Sequence, residues 1–142
     1  MQDLKLTVGT AIAAVGIAAA GSALAASMEN LPPEQMQGAI TYRSGGIGEA
    51  EASAMRHAES HYPLTLEFVQ RAHPRDEFLA NVEVTLNDPT GKTTLQTVSD
   101  GPLLLMKLPD GKYTVTASEN GRSEVRQVTV AAKKPERVVF EW

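Results

Sequence analysis

Seven short segments in which apolar and polar residues alternate occupy the chain from residue 63 to its end. This period of two is typical of strands with one buried face, and clusters of Gly, Pro, Asn and Asp separate the segments. Strands at a spacing of about ten residues indicate a β-sandwich, in which two sheets pack face to face. The predicted strands cover residues 64–68, 80–86, 93–99, 103–108, 112–119, 122–131 and 138–142.

Two Asx-Gly pairs mark the sharpest turns between these strands. Asp110-Gly111 predicts a hairpin between the fourth and fifth strands, and Asn120-Gly121 predicts one between the fifth and sixth. In the sixth strand Val125 is out of phase with Val128 and Val130, which predicts a bulge near residue 126. The larger side chains expected in or near the core are Phe68, Val84, Tyr113, Phe140 and Trp142.

Residues 1–25 have the composition of an export signal. Lys5 precedes a stretch of apolar and small residues, and Ala23-Leu24-Ala25 supplies the small side chains of a signal peptidase site. We therefore expect a Sec-type signal peptide that is cleaved after Ala25, and a periplasmic or secreted protein with no membrane span after cleavage. The alternative is an uncleaved N-terminal membrane anchor.

The segment between the signal and the strands divides into two parts. Residues 26–43 have no sustained period and carry two consecutive prolines, so they are expected to form a flexible leader with some order near residues 39–42. Residues 44–62 begin with a glycine-rich loop and continue as an amphipathic helix. Carboxylates crowd the first turn of this helix and Pro63 ends it.

The composition excludes several classes of chemistry. The chain has no Cys, which rules out disulfide bonds, thiolate nucleophiles and Cys-ligated zinc. Its formal net charge of -4 argues against nucleic acid as a partner. The Ser residues stand beside helices and turns, where they are typical of caps rather than nucleophiles. We therefore expect no enzymatic activity and no cofactor.

Two histidines four residues apart, His57 and His61, lie on the predicted helix, where both imidazoles can reach one metal ion. The pentad His-Ala-Glu-Ser-His lacks the Glu position of zinc metalloproteases, and His73 is a third ligand only if the fold returns it to the helix. The loop from Gly45 to Gly48 opens the helix as anion sites often do. The alternative for both features is structural: two histidines on a solvated face, and glycines that let helix and leader pack closely.

Basic residues and a polar strand are candidates for contact with a partner. The polar third strand, residues 93–99, is a candidate sheet edge to which a partner can add a strand, and the fourth strand is expected beside it. The alternative for the basic residues is an ordinary solvated surface. The basic residues that would form a face for an acidic protein or envelope polymer are Arg71, His73, Arg75 and Lys107.

The glycine at Asp100-Gly101 and the run from Leu108 to Val115, with its Leu-Pro-Asp-Gly-Lys-Tyr sequence, resemble the carboxypeptidase regulatory-like domains. The resemblance covers about residues 63–142 and implies a seven-stranded Greek-key sandwich of the transthyretin (prealbumin) type, periplasmic and non-catalytic. The segment of residues 42–71, with its Gly-Gly-Ile-Gly-Glu loop, is not part of that module and resembles a feature of a small group of proteobacterial exported proteins. The related hydroxyisourate hydrolases end in Tyr-Arg-Gly-Ser, whereas this chain ends in Val-Val-Phe-Glu-Trp, which disfavours that activity.

The sequence thus predicts an exported, non-enzymatic β-sandwich with one N-terminal helix. Its expected function is to bind another protein or an envelope component through loops or a sheet edge. The alternative function is periplasmic binding of a metal or small ligand by His57, His61 and the loop from Gly45 to Gly48.

Overall fold

A computed structural model describes residues 30–142, of which Pro32 to Trp142 form a compact unit. The predicted signal peptide and the first residues of the predicted leader lie outside the described residues, and they stay predictions. Within residues 30–142 no helix is long and apolar enough to cross a bilayer. The helical elements are α1 (Glu49–Ala58) and a 3-10 turn (Glu59–His61), and the strands are β1 (Gln35–Gln37), β2 (Ile40–Gly45), β3 (Leu64–Gln70), β4 (Glu77–Phe78), β5 (Val82–Asn87), β6 (Thr93–Ser99), β7 (Leu103–Lys107), β8 (Gly111–Glu119), β9 (Arg122–Val130) and β10 (Glu136–Glu141).

The strands form two sheets that pack as a sandwich. The first sheet has the order β1-β2-β7-β3-β10, with β4 paired to the end of β3, and the second has the order β6-β5-β8-β9. Strands β3 and β10 run parallel, and the other pairs are antiparallel. All seven strands that the sequence predicts are present, as β3 and β5 to β10. The prediction of a mainly β Greek-key sandwich with one helix is therefore confirmed.

The hairpin predicted at Asp110-Gly111 is wrong. Strand β7 pairs with β2 and β3 in the first sheet, whereas β8 pairs with β5 and β9 in the second. The segment between them therefore crosses from one sheet to the other, and the φ of 157 at Gly111 differs from the φ of about 60–90° in a two-residue primed turn. The prediction at Asn120-Gly121 is confirmed. Their φ angles of 49 and 77 are those of a two-residue primed turn, which joins β8 to β9.

The core lies between the sheets and contains the residues expected there. Phe68, Val84 and Phe140 are fully buried, Tyr113 is nearly so, and Trp142 packs against the cluster. The Phe68 and Phe140 ring centroids are 5.8 Å apart, and the Trp142 ring lies 6.2 Å from that of Phe140. The aromatic residues at the end of the chain thus fasten β10 to β3.

The bulge predicted in the sixth strand is absent. Strand β9 pairs with β8 in continuous register from Val130 opposite Gly111 to Arg122 opposite Glu119. Val125 therefore points away from the core and is 54% exposed. A single exposed valine is common on protein surfaces, so the regular ladder of hydrogen bonds is retained.

Part of the predicted leader is ordered in the first sheet. Residues 35–43 carry β1 and most of β2, and β2 pairs with β7 along its length from Thr41 to Gly45. The order expected near residues 39–42 is therefore more extensive than the sequence indicates. Helix α1 follows, packs against β2 and β7, and buries Ala54 and Met55.

Helix α1 makes the first sheet a buried layer. Strand β3 is buried on both faces, so the polar Glu67 is only 7% exposed although it alternates with core residues. Its carboxylate is paired with Arg56 from α1, at 3.4 Å, and with Arg137 from β10. A buried carboxylate requires such partners, because an unpaired charge away from water is costly.

Candidate functional site

The two histidines predicted as metal ligands are exposed and lie on different elements. His57 is in the last turn of α1, where its Nδ1 lies 2.8 Å from the carbonyl oxygen of Ser53, and His61 ends the 3-10 turn. In a continuous α-helix, residues four positions apart lie one above the other on the same face. The change from α-helix to 3-10 turn at Glu59 alters this alignment for His57 and His61. Within residues 30–142 no group of three or more His, Cys, Asp or Glu side chains is placed to hold a metal ion. Metal binding stays a prediction.

The glycine-rich loop is held by a carboxylate from the helix that follows it. Gly45 is the last residue of β2, opposite Leu103, and the N–H of Gly46 donates to Oε1 of Glu51 at 2.8 Å. Glu51 thus uses a backbone donor that an anion would need, and its negative charge repels an anion. The geometry favours the structural interpretation of this loop.

The four basic residues predicted as a partner face do not lie together. Arg71, His73 and Arg75 are in the loop that follows β3, whereas Lys107 ends β7. Because β7 runs antiparallel to β3, Lys107 lies beside the start of β3, roughly 20 Å from the end where Arg71 lies.

Two of these basic residues already have carboxylate partners. Arg71 forms an ion pair with Glu141 at 2.6 Å, and Lys107 lies 3.6 Å from Glu34. The hydrogen bond from Arg71 to Glu141 raises the pKa of this guanidinium above its already high usual value. These two side chains therefore make ion pairs within the protein itself.

Strand β6, the predicted edge, is an edge of the second sheet, but it is partly covered and is not adjacent to β7. The side chain of Gln37, from β1, accepts from the backbone N–H of Gln96 at 2.8 Å and donates to its carbonyl oxygen at 3.3 Å. The Tyr42 hydroxyl donates to Oγ1 of Thr97 at 3.4 Å. On this side of the sandwich the edges of the two sheets are therefore joined.

The opposite side of the sandwich, formed by β9 and β10, is open. The N–H of Glu136 donates to the carbonyl oxygen of Pro63 at 3.0 Å, and the N–H of Trp142 donates to that of Val69 at 3.0 Å. The backbone N–H and C=O groups of the even-numbered residues of β10 therefore point toward β3. The backbone groups of the odd-numbered residues consequently point away from the sheet, and within residues 30–142 they have no backbone partner. These outward residues are Arg137, Val139 and Glu141.

A cavity of about 610 Å³ lies along this open side, between β9 and β10. Val139 is 39% exposed beside it, and the indole N–H of Trp142 donates to the carbonyl oxygen of Arg122 at 3.0 Å, which joins the two strands. The residues that line the cavity are Arg71, Arg122, Glu124, Arg126, Val139, Glu141 and Trp142.

The charges around this cavity are nearly all paired. Glu141 pairs with Arg71, and Glu124 lies 3.3 Å from Arg126, whose guanidinium also lies 5.5 Å from the centre of the Phe140 ring. In the described part of the chain the guanidinium of Arg122 makes no ion pair. Among residues 30–142, Arg122 therefore offers this cavity a positive charge without an ion-pair partner, beside an apolar surface.

A second cavity, of about 550 Å³, lies at the other end of β8 and β9. Two of its polar side chains make hydrogen bonds within the chain. Oδ1 of Asp88 accepts hydrogen bonds from the hydroxyl of Thr90 at 2.6 Å and the N–H of Lys92 at 3.0 Å, which lower the pKa of this carboxyl. The Tyr113 hydroxyl donates to the carbonyl oxygen of Pro109 at 2.8 Å, and burial raises the pKa of this tyrosine.

Glu34 joins the N-terminal segment to the first sheet, and this contact depends on pH. The Tyr62 hydroxyl donates to its carboxylate at 2.9 Å, and this bond, with the charges of Arg43 and Lys107, holds the pKa of Glu34 below its ordinary 4.5. A folded pKa below the unfolded one gives stability that is present above pH 4.5 and is lost as the pH falls through the folded pKa. The free energy of unfolding should therefore fall less steeply with acid in Glu34→Gln than in the unchanged protein.

Chemical unfolding at a series of pH values below and above 4.5 measures this slope. The exposed Glu77 supplies the control Glu77→Gln, which removes a carboxylate without removing these partners. Equal slopes for Glu34→Gln and the unchanged protein would show that Glu34 is not tied to the fold in this way.

Comparison with known proteins identifies no family. No family profile matches the chain, and no curated protein sequence is significantly similar to it. A solved structure with a similar region is the major pilin subunit of Bacillus cereus, at 16% identity and a TM-score of 0.41. The match covers 56% of this chain and 30% of the pilin, so the chain spans less than a third of that protein. A likeness of this size assigns neither family nor function, and the class that the strand order defines is a β-sandwich.

The sequence correctly indicated that β6 is an edge strand, but it did not indicate that this edge is partly covered. The polarity of the strand indicates an edge, but the contact that covers β6 comes from Gln37, which is distant in sequence. Val125 does indicate the open side in the sequence. In the alternation of β9 it falls on the solvent face, where an apolar side chain stands out among charged residues.

Proposed function

We propose that this protein is an exported, non-enzymatic binding module that takes an extended segment of another envelope protein as an added strand along β10. The export signal at residues 1–25 and the likeness of residues 63–142 to carboxypeptidase regulatory-like domains support a periplasmic module of that family. The observation that carries the proposal is the open edge of β10. An added strand gains main-chain hydrogen bonds there, and side-chain pockets supply specificity.

The lining of the cavity indicates the chemistry of the partner segment. Val139 and Trp142 offer apolar surface, and Arg122 offers a positive charge without an ion-pair partner in the described chain. A segment with an aliphatic residue near a carboxylate fits this combination, because a charge-assisted hydrogen bond to Arg is stronger than a neutral one. Arg71 and Glu141 already pair with each other, so they do not favour further charged residues in the partner segment.

A proline at position 139 tests the edge directly. The N–H of Val139 points away from β3, so Val139→Pro removes an outward donor and leaves the bonds between β3 and β10 intact. We expect crosslinked partner protein, recovered from the envelope of a Gram-negative host, to fall at least tenfold while the melting temperature changes little.

The matched control is Val98→Pro on β6, which places the same residue at another exposed edge valine. This variant should retain the partner. Equal recovery with Val139→Pro and the unchanged protein, or equal loss with both variants, would contradict binding along β10.

A further inference from the structure

Strand β9 is a long edge without a bulge, and its charged residues are of both signs. It has nine residues, pairs with β8 along its whole length, and within residues 30–142 pairs with no strand on its other side. It has no bulge, and Val125 at its middle is 54% exposed. Edges of this kind are templates for pairing with another strand unless charge, bulges or cover prevents it.

The outward backbone groups of β9 follow from the turn that precedes it. The two-residue turn is closed by the hydrogen-bonded pair Glu119 and Arg122. Along β9, residues that are hydrogen-bonded to β8 then alternate with residues whose backbone groups point away from β8. The carbonyl of Val125 indeed faces away from β8, because it accepts a bond from the guanidinium of Arg126 at 3.1 Å. The residues with outward backbone groups are Ser123, Val125, Gln127 and Thr129.

We propose that two copies of this chain pair along β9, antiparallel, with Val125 opposite Val125 of the second copy. The charges on β9 and the length of the paired segment together favour this register. Centring the two-fold axis on Val125 places Glu124 opposite Arg126 of the second copy, and this pair occurs twice. Opposite charges directly across a strand pair are stabilising, and like charges are destabilising.

Other registers lack one or more of these features. Centring the axis on Ser123 also places Arg122 opposite Glu124 of the second copy, but it puts Val125 opposite Gly121 in the turn and pairs fewer residues. Centring the axis on Arg126 places the two Arg126 guanidinium groups opposite each other. Centring it on Gln127 places Glu124 opposite Val130 and Arg126 opposite Val128, so no charge gains a partner. The Val125 register also covers the exposed valine and adds about six backbone hydrogen bonds across the edge.

The charged residues that favour the register are available in the single chain. The side chains of Arg126 and Glu124 are 43% and 38% exposed, and within residues 30–142 the only ion pair of each is with the other, two positions away on the same strand. The Arg126 guanidinium also donates to the Val125 carbonyl and lies over the Phe140 ring. Strand β10 has a similar charge pattern, but its Arg137 is paired with Glu67 and its Glu141 with Arg71. Pairing of copies along β9 uses Glu124 and Arg126, which also line the cavity beside β10, but it does not rest on the proposed strand addition at β10.

Charge reversal tests the register in the protein purified after expression of the full chain. Sedimentation equilibrium at increasing concentration should show a monomer–dimer equilibrium. Glu124→Arg or Arg126→Glu alone puts like charges at both symmetric pairs and should raise the dissociation constant about tenfold. The double exchange of Glu124→Arg with Arg126→Glu restores opposite charges and should return the constant to its original range, while Val139→Pro should leave it unchanged.

A disulfide test fixes the register independently, because the chain has no other Cys. In the proposed register the two copies of residue 125 are about 5.5 Å apart between Cα atoms, within reach of a disulfide. Oxidation should therefore link Val125→Cys into dimers but not Gln127→Cys, whose copies lie roughly 13 Å apart. A monomer at every concentration, single reversals that dimerise as the unchanged protein does, or linkage through position 127 instead of 125 would each overturn the proposal.

Discussion

Phe140→Ala is expected to lower the free energy of unfolding by about 3–5 kcal/mol, the cost of removing a fully buried aromatic ring. Phe140 is 0% exposed and lies between Phe68, at 5.8 Å, and Trp142, at 6.2 Å. Its loss leaves a cavity and removes the ring on which the chain end packs. Among the described strands β10 pairs with β3 alone, so no second strand of that part of the chain compensates for the loss.

The control lies one residue earlier on the same strand. Val139 is 39% exposed and outside the core, so Val139→Ala should change the free energy of unfolding by less than about 1 kcal/mol. Denaturant unfolding of both variants measures the difference. Similar values for the two positions would contradict the packing of β10 described above.

Gly101→Ala is expected to lower the free energy of unfolding by about 3 kcal/mol because the backbone of β2 leaves no space for a methyl group. A Cβ at Gly101 would overlap the carbonyl oxygen of Gly45 and lie 2.9 Å from its Cα. The segment cannot shift easily, since Ser99 Oγ donates to the carbonyl of Gly101 at 2.7 Å and Ser44 Oγ donates to Asp100 at 3.2 Å.

Gly111→Ala is the matched control for this substitution. A Cβ at Gly111 would meet the Tyr113 ring at 3.6 Å, an ordinary contact, but its φ of 157 is one that residues with a Cβ rarely adopt. We therefore expect a loss of about 1–2 kcal/mol from backbone strain alone, which is smaller than the loss at Gly101. Thermal or denaturant unfolding decides between these effects, and a larger loss at Gly111 than at Gly101 would contradict this account.

Local signals in the sequence predicted the elements well, because period and turn chemistry act over a few residues. The hairpin at Asn120-Gly121 is an example, since its positive φ angles and short length fix the pairing of its two strands. At Asp110-Gly111 the same kind of signal failed because the partners of β7 are distant in sequence. The four consecutive apolar residues of β7 are typical of a strand buried on both faces, which is how it lies between β2 and β3.

The candidate site was harder to predict because it depends on which surfaces remain uncovered. Glu67 appears in the sequence as an outward residue of an alternating strand, yet α1 covers it and two arginines from separate elements neutralise it. Likewise, Gln37 covers the edge of β6 from a segment expected to be flexible. Such contacts join residues tens of positions apart, and a single sequence does not encode them in its periodicity.

A photoreactive residue in place of Val139 tests the central claim most directly. The full chain, expressed with its own signal in a Gram-negative host, would be irradiated and its crosslinked peptides identified by mass spectrometry, with the same residue in place of Val98 as the comparison. Binding along β10 predicts that an extended segment of one envelope protein is crosslinked at position 139 and not at position 98. Crosslinking of the same proteins to the same extent at both positions, or of none at position 139, would contradict it.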